Sequence, residues 1–254
     1  MSKFFVENNQ INNNNIQILG DDVNHISNVL RMKKEDELQI WNQNTGENYL
    51  CQIVYFTKDS IECEIKSKIE KTTESNVNIT IFQGIPKFEK MELIIQKNTE
   101  VGVKKIVPVL MERTVVKLDE KVASKKIERW QKIAETAAKQ SMRDIIPKIE
   151  NVIKVKDIEF SNYDAVLVAY ENEEKNMLKQ ELKKIKDAKK TKENNTYNIA
   201  IIIGPEGGIA EKEIDILKND NVKFVSLGKR ILRTETAGIV MAGNILYELE
   251  GGEQ

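Results

Sequence analysis

The sequence is poor in the residues that hold metals or act as nucleophile and base. Its 254 residues include two cysteines, Cys51 and Cys63, and one histidine, His25. A metal site built from His and Cys is therefore disfavoured, and we predict no metal. A Ser-His-Asp relay would have to use His25, which no nucleophile-type turn surrounds. Both cysteines lie in strand-like runs, which predicts buried, reduced thiols rather than a disulfide.

Long apolar runs are also absent. No segment approaches the roughly 20 apolar residues of a membrane helix, and the sequence from Met1 to Glu7 lacks the apolar core of a signal peptide. The chain has 40% apolar residues and is long enough for one large domain or two smaller ones. We therefore predict a cytoplasmic protein with no membrane partner.

The net charge of −1 argues against nucleic acid at first, but the charge is unevenly distributed. Residues 81–156 carry 17 Lys and Arg against 10 Asp and Glu, a balance of +7, whereas residues 1–70 and 157–254 each have a balance of −4. This basic segment is either a solvated helical surface or a face that meets phosphates.

The first part of the chain has the alternating pattern of short strands. The runs LQIWNQ (38–43), NYLCQIVYF (48–56) and SIECEIKSKI (60–69) are separated by turn residues, which predicts a small β-barrel over residues 1–72. The asparagine-rich segment 8–15 predicts a surface loop, and 25–31 a short helical turn.

After a polar linker at 71–76 the pattern changes to alternating strands and helices. Strands are predicted at 77–83, 104–110, near 148–153, at 164–170, from 199 and at 222–227. Helices are predicted at 90–101, 121–141, 175–186 and 234–249, and a mobile loop at 189–198. Strands that alternate with helices predict an α/β domain over residues 73–254, with a largely parallel sheet covered on both faces.

The stretch IAIIIGPEGGIAEKEI (199–214) combines a buried strand, a glycine-rich turn and a helix start. It lacks the Lys and Ser/Thr of a phosphate-binding P-loop. Glu206, together with Glu211 and Glu213 in the first helical turn, disfavours an anionic ligand. Gly207 and Gly208 can take positive φ and let a flat ligand approach the backbone. The alternative is a tight strand–helix connection that binds nothing.

A second turn, LGKRILRTETA (227–237), follows the next strand and precedes the last helix. In a parallel sheet both turns lie at the carboxyl edge, where α/β folds bind ligands, and the end of DAVLVAY at Tyr170 and Glu171 lies near the same edge. The apolar side chains of the second turn suit an adenine; they are Leu227, Ile231 and Leu232. Its basic side chains suit a phosphate backbone; they are Lys229, Arg230 and Arg233. Gly238 and Gly243 in the last helix indicate close packing, against a second copy of the chain or within the chain.

Together these segments resemble the bacterial 16S rRNA (uracil-N3)-methyltransferases of the SPOUT class. The resemblance covers nearly the whole chain, in order. It rests on HISNVLRMKKEDEL (25–38), QGIPK with KME (83–92), QKNTEVGV (96–103), IVPVLMERTVVK (106–117), ERW with AAKQSMR (128–143), VAYE (168–171), IIIGPEGG (201–208) and LGKRILRTETA (227–237).

The resemblance implies a trefoil-knotted, parallel-sheet methyltransferase domain that follows a PUA-like β-barrel RNA-binding domain. It implies S-adenosylmethionine bound in the knot, a homodimer, and transfer of methyl to N3 of a uridine in 16S rRNA, on the assembled small ribosomal subunit. Two alternatives remain: another SPOUT-type RNA methyltransferase, acting on a ribose 2′-OH or a different base, and an RNA-binding module without catalysis.

The resemblance also assigns residues. The cofactor loops it implies are Tyr170, Glu171, Ile203, Gly204, Pro205, Glu206, Gly207, Gly208, Leu227, Gly228, Ile231, Leu232, Arg233, Thr236 and Ala237. The RNA-facing residues it implies are Arg31, Lys87, Arg113, Gln140 and Arg143. The chain departs from the family pattern where a Gly-Asp pair is usual, at Glu35-Asp36 and at Phe88-Glu89, and where Ser or Thr is usual, at Ala210.

Methylation at N3 requires loss of a proton, because uridine N3 is protonated at neutral pH. A base must take that proton, or cationic groups must stabilise the developing anion. We assign the base role to Glu235 and the anion-stabilising role to Arg233. The alternative for Glu235 is a first-turn carboxylate that stabilises the last helix. Glu206 or Glu171 is expected to contact the ribose or the cationic end of the cofactor.

Overall fold

The structure, a computed structural model, describes residues 3–87, 89–116, 119–189 and 196–250. The contacts divide the chain into two units. The first unit comprises residues 1–74 together with 138–145, and the second comprises 75–137 together with 146–254. Residues 138–145 therefore belong by their contacts to the first unit, although they lie between two parts of the second in sequence.

The first unit is built on a six-stranded sheet of order β1-β4-β5-β6-β3-β2. Its strands are β1 (Lys3–Val6), β2 (Ile11–Asn12), β3 (Asn15–Leu19), β4 (Glu37–Asn42), β5 (Glu47–Phe56) and β6 (Ser60–Ile69). Strands β1 and β4 pair in parallel, and the other neighbours are antiparallel. Alternate residues of β4, β5 and β6 point into one apolar core, as the period-two pattern predicts.

The asparagine-rich segment is not the plain surface loop that the composition predicts. Residues 8–10 form a 3₁₀ turn, and β2 and β3 form a short hairpin with Asn13 at its turn, where φ is 52°. Asparagine tolerates this left-handed conformation better than most residues. The predicted helical turn is confirmed, since α1 (Asp21–Asn24) runs into a π-helical turn at His25–Val29.

The backbone conformation of Glu35 shows why the family usually has a glycine at this position. Its φ is 77°, in the left-handed region that glycine adopts most easily. The backbone N–H of Glu35 donates to the carbonyl of Ile53 at 2.8 Å, so pairing with β5 holds the conformation. The usual glycine at this position is therefore a backbone requirement, which Glu35 meets with some strain.

Residues 138–145 are fastened to the rest of the first unit by buried charges. Asp144 is ion-paired with Lys3 and accepts hydrogen bonds from the Thr72 hydroxyl and the Thr73 N–H. The guanidinium of Arg143 is paired with Glu74 at 2.6 Å, and Arg143 is only 4% exposed. This burial argues against the predicted RNA contact of Arg143, because its charge is already neutralised within the protein.

The second unit contains a parallel sheet of order β10-β8-β7-β12-β11-β13, with β9 also paired to β8. Its strands are β7 (Val77–Gly84), β8 (Lys105–Leu110), β9 (Lys148–Ile149), β10 (Ile153–Lys154), β11 (Ala165–Ala169), β12 (Tyr197–Ile203) and β13 (Val222–Val225). Its helices are α2 (Lys90–Val101), α3 (Glu120–Gln140), α4 (Leu178–Lys189), α5 (Glu211–Leu217) and α6 (Thr234–Leu249). The last three residues of α3, 138–140, belong by their contacts to the first unit. The predicted parallel α/β arrangement is confirmed.

Several element boundaries differ from the sequence prediction. The helix expected at 175–186 is Leu178–Lys189, and the strand expected at 222–227 is Val222–Val225. The strand expected near 148–153 is two short strands, β9 and β10, which pair with successive parts of β8. Part of the loop expected at 189–198 is regular structure: Lys189 ends α4, and β12 already begins at Tyr197. Residues 190–195 lie outside the described residues.

Both faces of the parallel sheet are buried. Ile199, Ile201 and Ile203 of β12 pack on one side with α2, α3, α4 and α6. Ala200 and Ile202 pack on the other side with α5 and the 3₁₀ turn at Val155–Asp157. This two-sided burial accounts for the unbroken apolar run in the sequence.

Among the described residues, no helix has the length and apolarity needed to cross a membrane, and no three His, Cys, Asp or Glu side chains gather as metal ligands would.

The two cysteines are buried free thiols in the core of the first unit, which confirms the prediction. Burial raises the pKa of Cys51 and of Cys63 to about 12 in each case. We expect neither thiol to react with an aromatic disulfide reagent at pH 8 in the native protein, since the thiolate is the nucleophile. Both should react in 6 M guanidinium chloride, and stoichiometric labelling of the native protein would contradict the assignment.

Candidate functional site

A cavity of about 800 Å³ lies where β11, β12 and β13 end. Three loops that follow these strands supply most of its wall: residues 169–177, 203–209 and 226–234. The sequence predicted this edge of the sheet as the ligand site, and a cavity of this size is typical of small-molecule sites.

Most of the predicted cofactor residues line this cavity. They are Tyr170, Glu171, Ile203, Gly204, Pro205, Glu206, Gly208, Leu227, Gly228, Ile231, Leu232, Arg233 and Ala237. Gly207 and Thr236 are not among the lining residues. The wall also contains residues that the sequence did not single out for the cavity, chiefly Lys90, Glu174, Met177 and Ser226.

Contacts within the protein leave little space for a side chain at two glycines of the turn at 204–208. A Cβ at Gly207 would lie 3.0 Å from the Cβ of Arg113, and a Cβ at Gly208 would lie 2.9 Å from Glu171 Oε1. Gly208 also has φ of 72°. The predicted positive φ is therefore confirmed at Gly208, and neighbouring side chains occupy the space that the missing Cβ atoms leave.

Glu206 lies in the middle of the turn and is held by its neighbours. Its carboxylate accepts a hydrogen bond from the Lys87 N–H at 3.1 Å and is 3.1 Å from Lys90 Nζ. Burial alone would raise the pKa of Glu206, but its own N–H, Lys90 and Lys87 outweigh that effect, so the pKa lies below its usual value. Glu206 thus joins the turn to the residues that lead into α2.

A buried hydrogen-bond chain fixes three segments beneath the cavity. The amide of Gln83, at the end of β7, donates to the Thr234 hydroxyl at 2.9 Å. That hydroxyl donates to the carbonyl of Gly204 at 2.7 Å. Gln83 and Thr234 are both buried, so the start of α6 is tied to the ends of β7 and β12 in a place that water does not reach.

Ala210 lacks the side-chain oxygen that caps a helix, yet the start of α5 is still tied down. Glu213 Oε2 accepts a hydrogen bond from the Ala210 N–H at 3.1 Å, and Glu213 Oε1 accepts one from the Glu112 N–H at 2.8 Å. The first contact is one half of a capping box. Glu213 therefore takes over part of the role of the missing Ser or Thr.

The loop LGKRILRTETA (227–237) forms a wall of the cavity that is more open than the turn at 204–208. Gly228 has φ of 120°, and a Cβ there would meet no atom within 4 Å. Leu227 and Leu232 pack partly against the core, whereas Ile231 is 81% exposed. This wall of the cavity therefore offers a ligand packed apolar side chains at Leu227 and Leu232, and open space beside Gly228.

The two predicted catalytic residues flank the start of α6. Arg233 is its N-cap residue, is exposed, and lines the cavity. Glu235 lies in the first turn with a side chain that is 14% exposed, and its Oε2 is 3.5 Å from Lys90 Nζ. Glu235 is not itself among the lining residues, so Lys90 is the group through which it adjoins the cavity.

The predicted RNA-facing residues occupy different surroundings. Arg31, with φ of 55°, and Gln140 are exposed in the first unit, and Lys87 is exposed in the second. Arg113 is exposed but donates from Nη1 to the Gly207 carbonyl at 2.8 Å. Glu89 has φ of −84°, which any residue adopts, and Phe88 lies outside the described residues.

Comparison with known families accounts for this arrangement. Residues 73–246 match the family model of an RNA methyltransferase domain, and residues 18–66 match that of an RNA methyltransferase PUA domain. The chain belongs to the RNA methyltransferase family. The match confirms the family resemblance seen in the sequence and places an N-terminal PUA-like domain before the α/β domain of this family member.

Individual proteins and structures similar to this chain also belong to RNA methyltransferases. The chain is 35% identical to ribosomal RNA small subunit methyltransferase E of Bacillus subtilis, over 92% of this chain and 90% of the relative. It is 37% identical to the protein of the same name from Buchnera aphidicola of Acyrthosiphon pisum, over 89% and 86%. A crystal structure of the Neisseria gonorrhoeae enzyme bound to S-adenosylmethionine superposes with a TM-score of 0.78 at 28% identity, covering 97% of both chains.

Proposed function

We propose that this chain transfers a methyl group from S-adenosylmethionine to N3 of a uridine in small-subunit ribosomal RNA. The observation that carries the proposal is the cavity at the carboxyl edge of the sheet, in a chain of the RNA methyltransferase family. Enzymes named for small-subunit rRNA methylation are its relatives across most of their length. The uracil-N3 position comes from the resemblance in sequence.

The cavity suits this cofactor chemically. Ile203, Leu227 and Leu232 give it an apolar wall for an adenine, and the open side at Gly228 leaves room. Glu171 on the wall suits a cationic ligand that has no phosphate. Glu206 contributes indirectly, since its carboxylate is already engaged by Lys87 and Lys90. We assign the predicted lining residues to cofactor binding.

S-adenosylmethionine supplies the methyl group from its sulfonium. The protein must place N3 in line with that group and remove the N3 proton. We assign proton removal to Glu235 and stabilisation of the uridine anion to Arg233, which flank the start of α6. The target base has to be unstacked to reach the cavity.

We also propose that the α/β domain is a trefoil knot. The strand order supports this: β13 lies at the sheet edge beside β11, yet the chain then returns to the middle of the sheet. There Thr234 reaches Gly204 and Gln83, at the ends of β12 and β7. A short connection from an edge strand to the sheet centre, past loops already in place, is an exception to the usual avoidance of threading.

We propose that Arg31, Lys87, Arg113 and Gln140 contact the RNA, on the assembled small subunit in the cytoplasm. All four are exposed. Arg113 would serve two purposes, since it also holds the Gly207 carbonyl beside the cavity. Arg143 is omitted because it is buried with Glu74.

We propose that the protein is a homodimer that uses α6. Tyr247 is 85% exposed, and a Cβ at Gly243, one turn earlier, would meet nothing within 4 Å among the described residues apart from its chain neighbours and the backbone of its own helix. Gly238 differs, since its Cβ would contact Asn98 and Gln83 within the chain. Packing against a second copy of the chain is therefore proposed for Gly243, and packing within the chain for Gly238.

Tyr247→Asp is expected to weaken the dimer at least about 30-fold, since buried interface tyrosines are often hot spots of 2 kcal/mol or more. Light scattering coupled to size-exclusion chromatography over a dilution series measures this. Tyr55→Asp is the control, because Tyr55 is also an exposed tyrosine, at 61%, but lies on β5. Equal dimerisation of wild type and Tyr247→Asp would reject α6 as the interface.

Unmethylated small subunits and labelled cofactor test the proposed function directly. After incubation with the protein, the rRNA is digested to nucleosides and analysed by mass spectrometry, and the methyl is mapped by primer extension. The expected product is 3-methyluridine at one position. A 2′-O-methylated nucleoside or another methylated base would indicate a different RNA methyltransferase. Failure to bind the cofactor in calorimetry would indicate an RNA-binding module.

A further inference from the structure

Lys90, at the start of α2, is the cation between two carboxylates at the cavity wall. Its Nζ is 3.1 Å from Glu206 Oε1 and 3.5 Å from Glu235 Oε2, and its side chain is 31% exposed. The hydrogen bond to Glu206 is the main reason that the pKa of Lys90 is raised, and the charge of Glu235 adds to it. The lysine is therefore an ammonium ion at neutral pH.

The charge balance of this cluster changes during the proposed reaction. One ammonium and two carboxylates carry a net charge of −1 while the uridine is neutral. When Glu235 accepts the N3 proton it becomes neutral, and the negative charge moves to the uridine, mainly to O2 and O4. Lys90 then loses one of its two anionic partners at the moment when a new anion forms beside the cavity that it lines.

We propose that Lys90 is a catalytic residue whose ammonium group neutralises the uridine anion formed when N3 loses its proton, with Glu206 holding that group at the cavity wall. The proposal rests on the proposed function. In the reaction, the N3–H bond breaks and its proton goes to the Glu235 carboxylate. An N3–C bond forms, and the electron pair of the broken carbon–sulfur bond stays on the sulfur of the cofactor.

Lys90 is better placed for this role than the arginine first assigned to it. Arg233 lines the same cavity but is exposed, where water and salt screen its charge. Lys90 is partly shielded and is anchored from two segments, by Glu206 in the turn and by Glu235 in α6. The charged groups paired with Lys90 are Glu206 and Glu235. Other charged residues line the cavity wall: Glu171, Glu173, Glu174, Lys229, Arg230 and Arg233.

Lys90→Met is expected to lower the single-turnover rate of methylation about 10²- to 10³-fold, as removal of one anion-stabilising group does in other enzymes. Lys90→Arg keeps the charge and should stay within about tenfold of wild type. Lys97→Met is the matched control, since Lys97 lies on the same helix and pairs with Glu100 at the surface. Calorimetry should give all three variants a cofactor affinity within about threefold of wild type.

A substrate with 5-fluorouridine at the mapped position separates this role from a structural one. Fluorine withdraws electrons and makes N3–H more acidic, so the anion needs less help from the protein. We expect the defect of Lys90→Met to be at least about tenfold smaller on this substrate than on uridine. A defect of equal size on both substrates would show that Lys90 only supports the fold of the site.

The ionisation of the base can also be followed without turnover. The ¹⁹F resonance of the same RNA, bound to the protein with S-adenosylhomocysteine, reports the protonation of 5-fluorouridine. Ionisation is expected at lower pH in the wild-type complex than in the Lys90→Met complex, and identical titrations would overturn the proposal. If wild type forms no 3-methyluridine, the proposed function fails; if Lys90→Met methylates at the wild-type rate, only the role of Lys90 fails.

Discussion

Glu235→Gln is expected to reduce methylation about 10²- to 10⁴-fold, the range that general acid–base catalysis contributes. Glutamine has the shape of glutamate but cannot accept the N3 proton. Because Glu235 is not among the cavity-lining residues, we expect the affinity for S-adenosylmethionine to change by less than about threefold. Single-turnover methylation of small subunits and calorimetry measure the two quantities separately.

The competing explanation for Glu235 predicts a different pattern. A carboxylate in the first turn of a helix stabilises it by about 0.3 to 1 kcal/mol through the helix dipole. If this is its only role, Glu235→Gln lowers the free energy of unfolding by that amount and leaves methylation unchanged. Glu211→Gln provides the comparison, since Glu211 is an exposed first-turn carboxylate of α5.

Gly84→Ala is expected to disrupt the cavity from below. A Cβ at Gly84 would lie 2.6 Å from the Pro205 nitrogen and 2.9 Å from the Gly204 carbonyl carbon. These are backbone atoms, so the end of β7 and the turn at 204–208 would have to separate. We expect a loss of about 1 to 3 kcal/mol in the free energy of unfolding, and at least a tenfold loss of cofactor affinity.

Urea unfolding and calorimetry test this prediction against a second glycine. Gly238→Ala adds the same methyl group in the same region, but its nearest neighbour, Asn98 Nδ2, would be 3.6 Å away. That contact is ordinary, and alanine favours the helix, so Gly238→Ala should be tolerated. Equal behaviour of the two variants would mean that the turn does not depend on its contact with Gly84.

Local patterns in the sequence predicted the helices and strands well where the spacing of the apolar residues matches the face that is buried. The helix at 90–101 and the helix at 234–249 have the predicted bounds, because in each the apolar spacing persists to a clear end. The hairpin at Ile11–Leu19 was missed, because its asparagines have the composition of a loop. Composition does not show that Asn13 can supply the left-handed turn.

The site was predicted in outline, but the pairing of its charges was not. Glu206 was expected to face the cofactor, whereas Lys87 and Lys90 hold its carboxylate. The family resemblance implied Arg143 as an RNA contact, but a matching motif cannot distinguish an exposed arginine from one buried with Glu74. Such pairs join residues far apart in sequence, and no local spacing encodes them.

The hydrogen-bond chain from Gln83 through Thr234 to Gly204 sets the order in which the site can be completed during synthesis. The sheet strands and most of the cavity wall precede residue 226, but the group that ties them together lies at the start of α6. A chain that ends before Thr234 lacks that tie and the whole of α6. The cavity can therefore be completed only after Thr234 and α6 have been synthesised, and a product that terminates before Thr234 should not compete for cofactor.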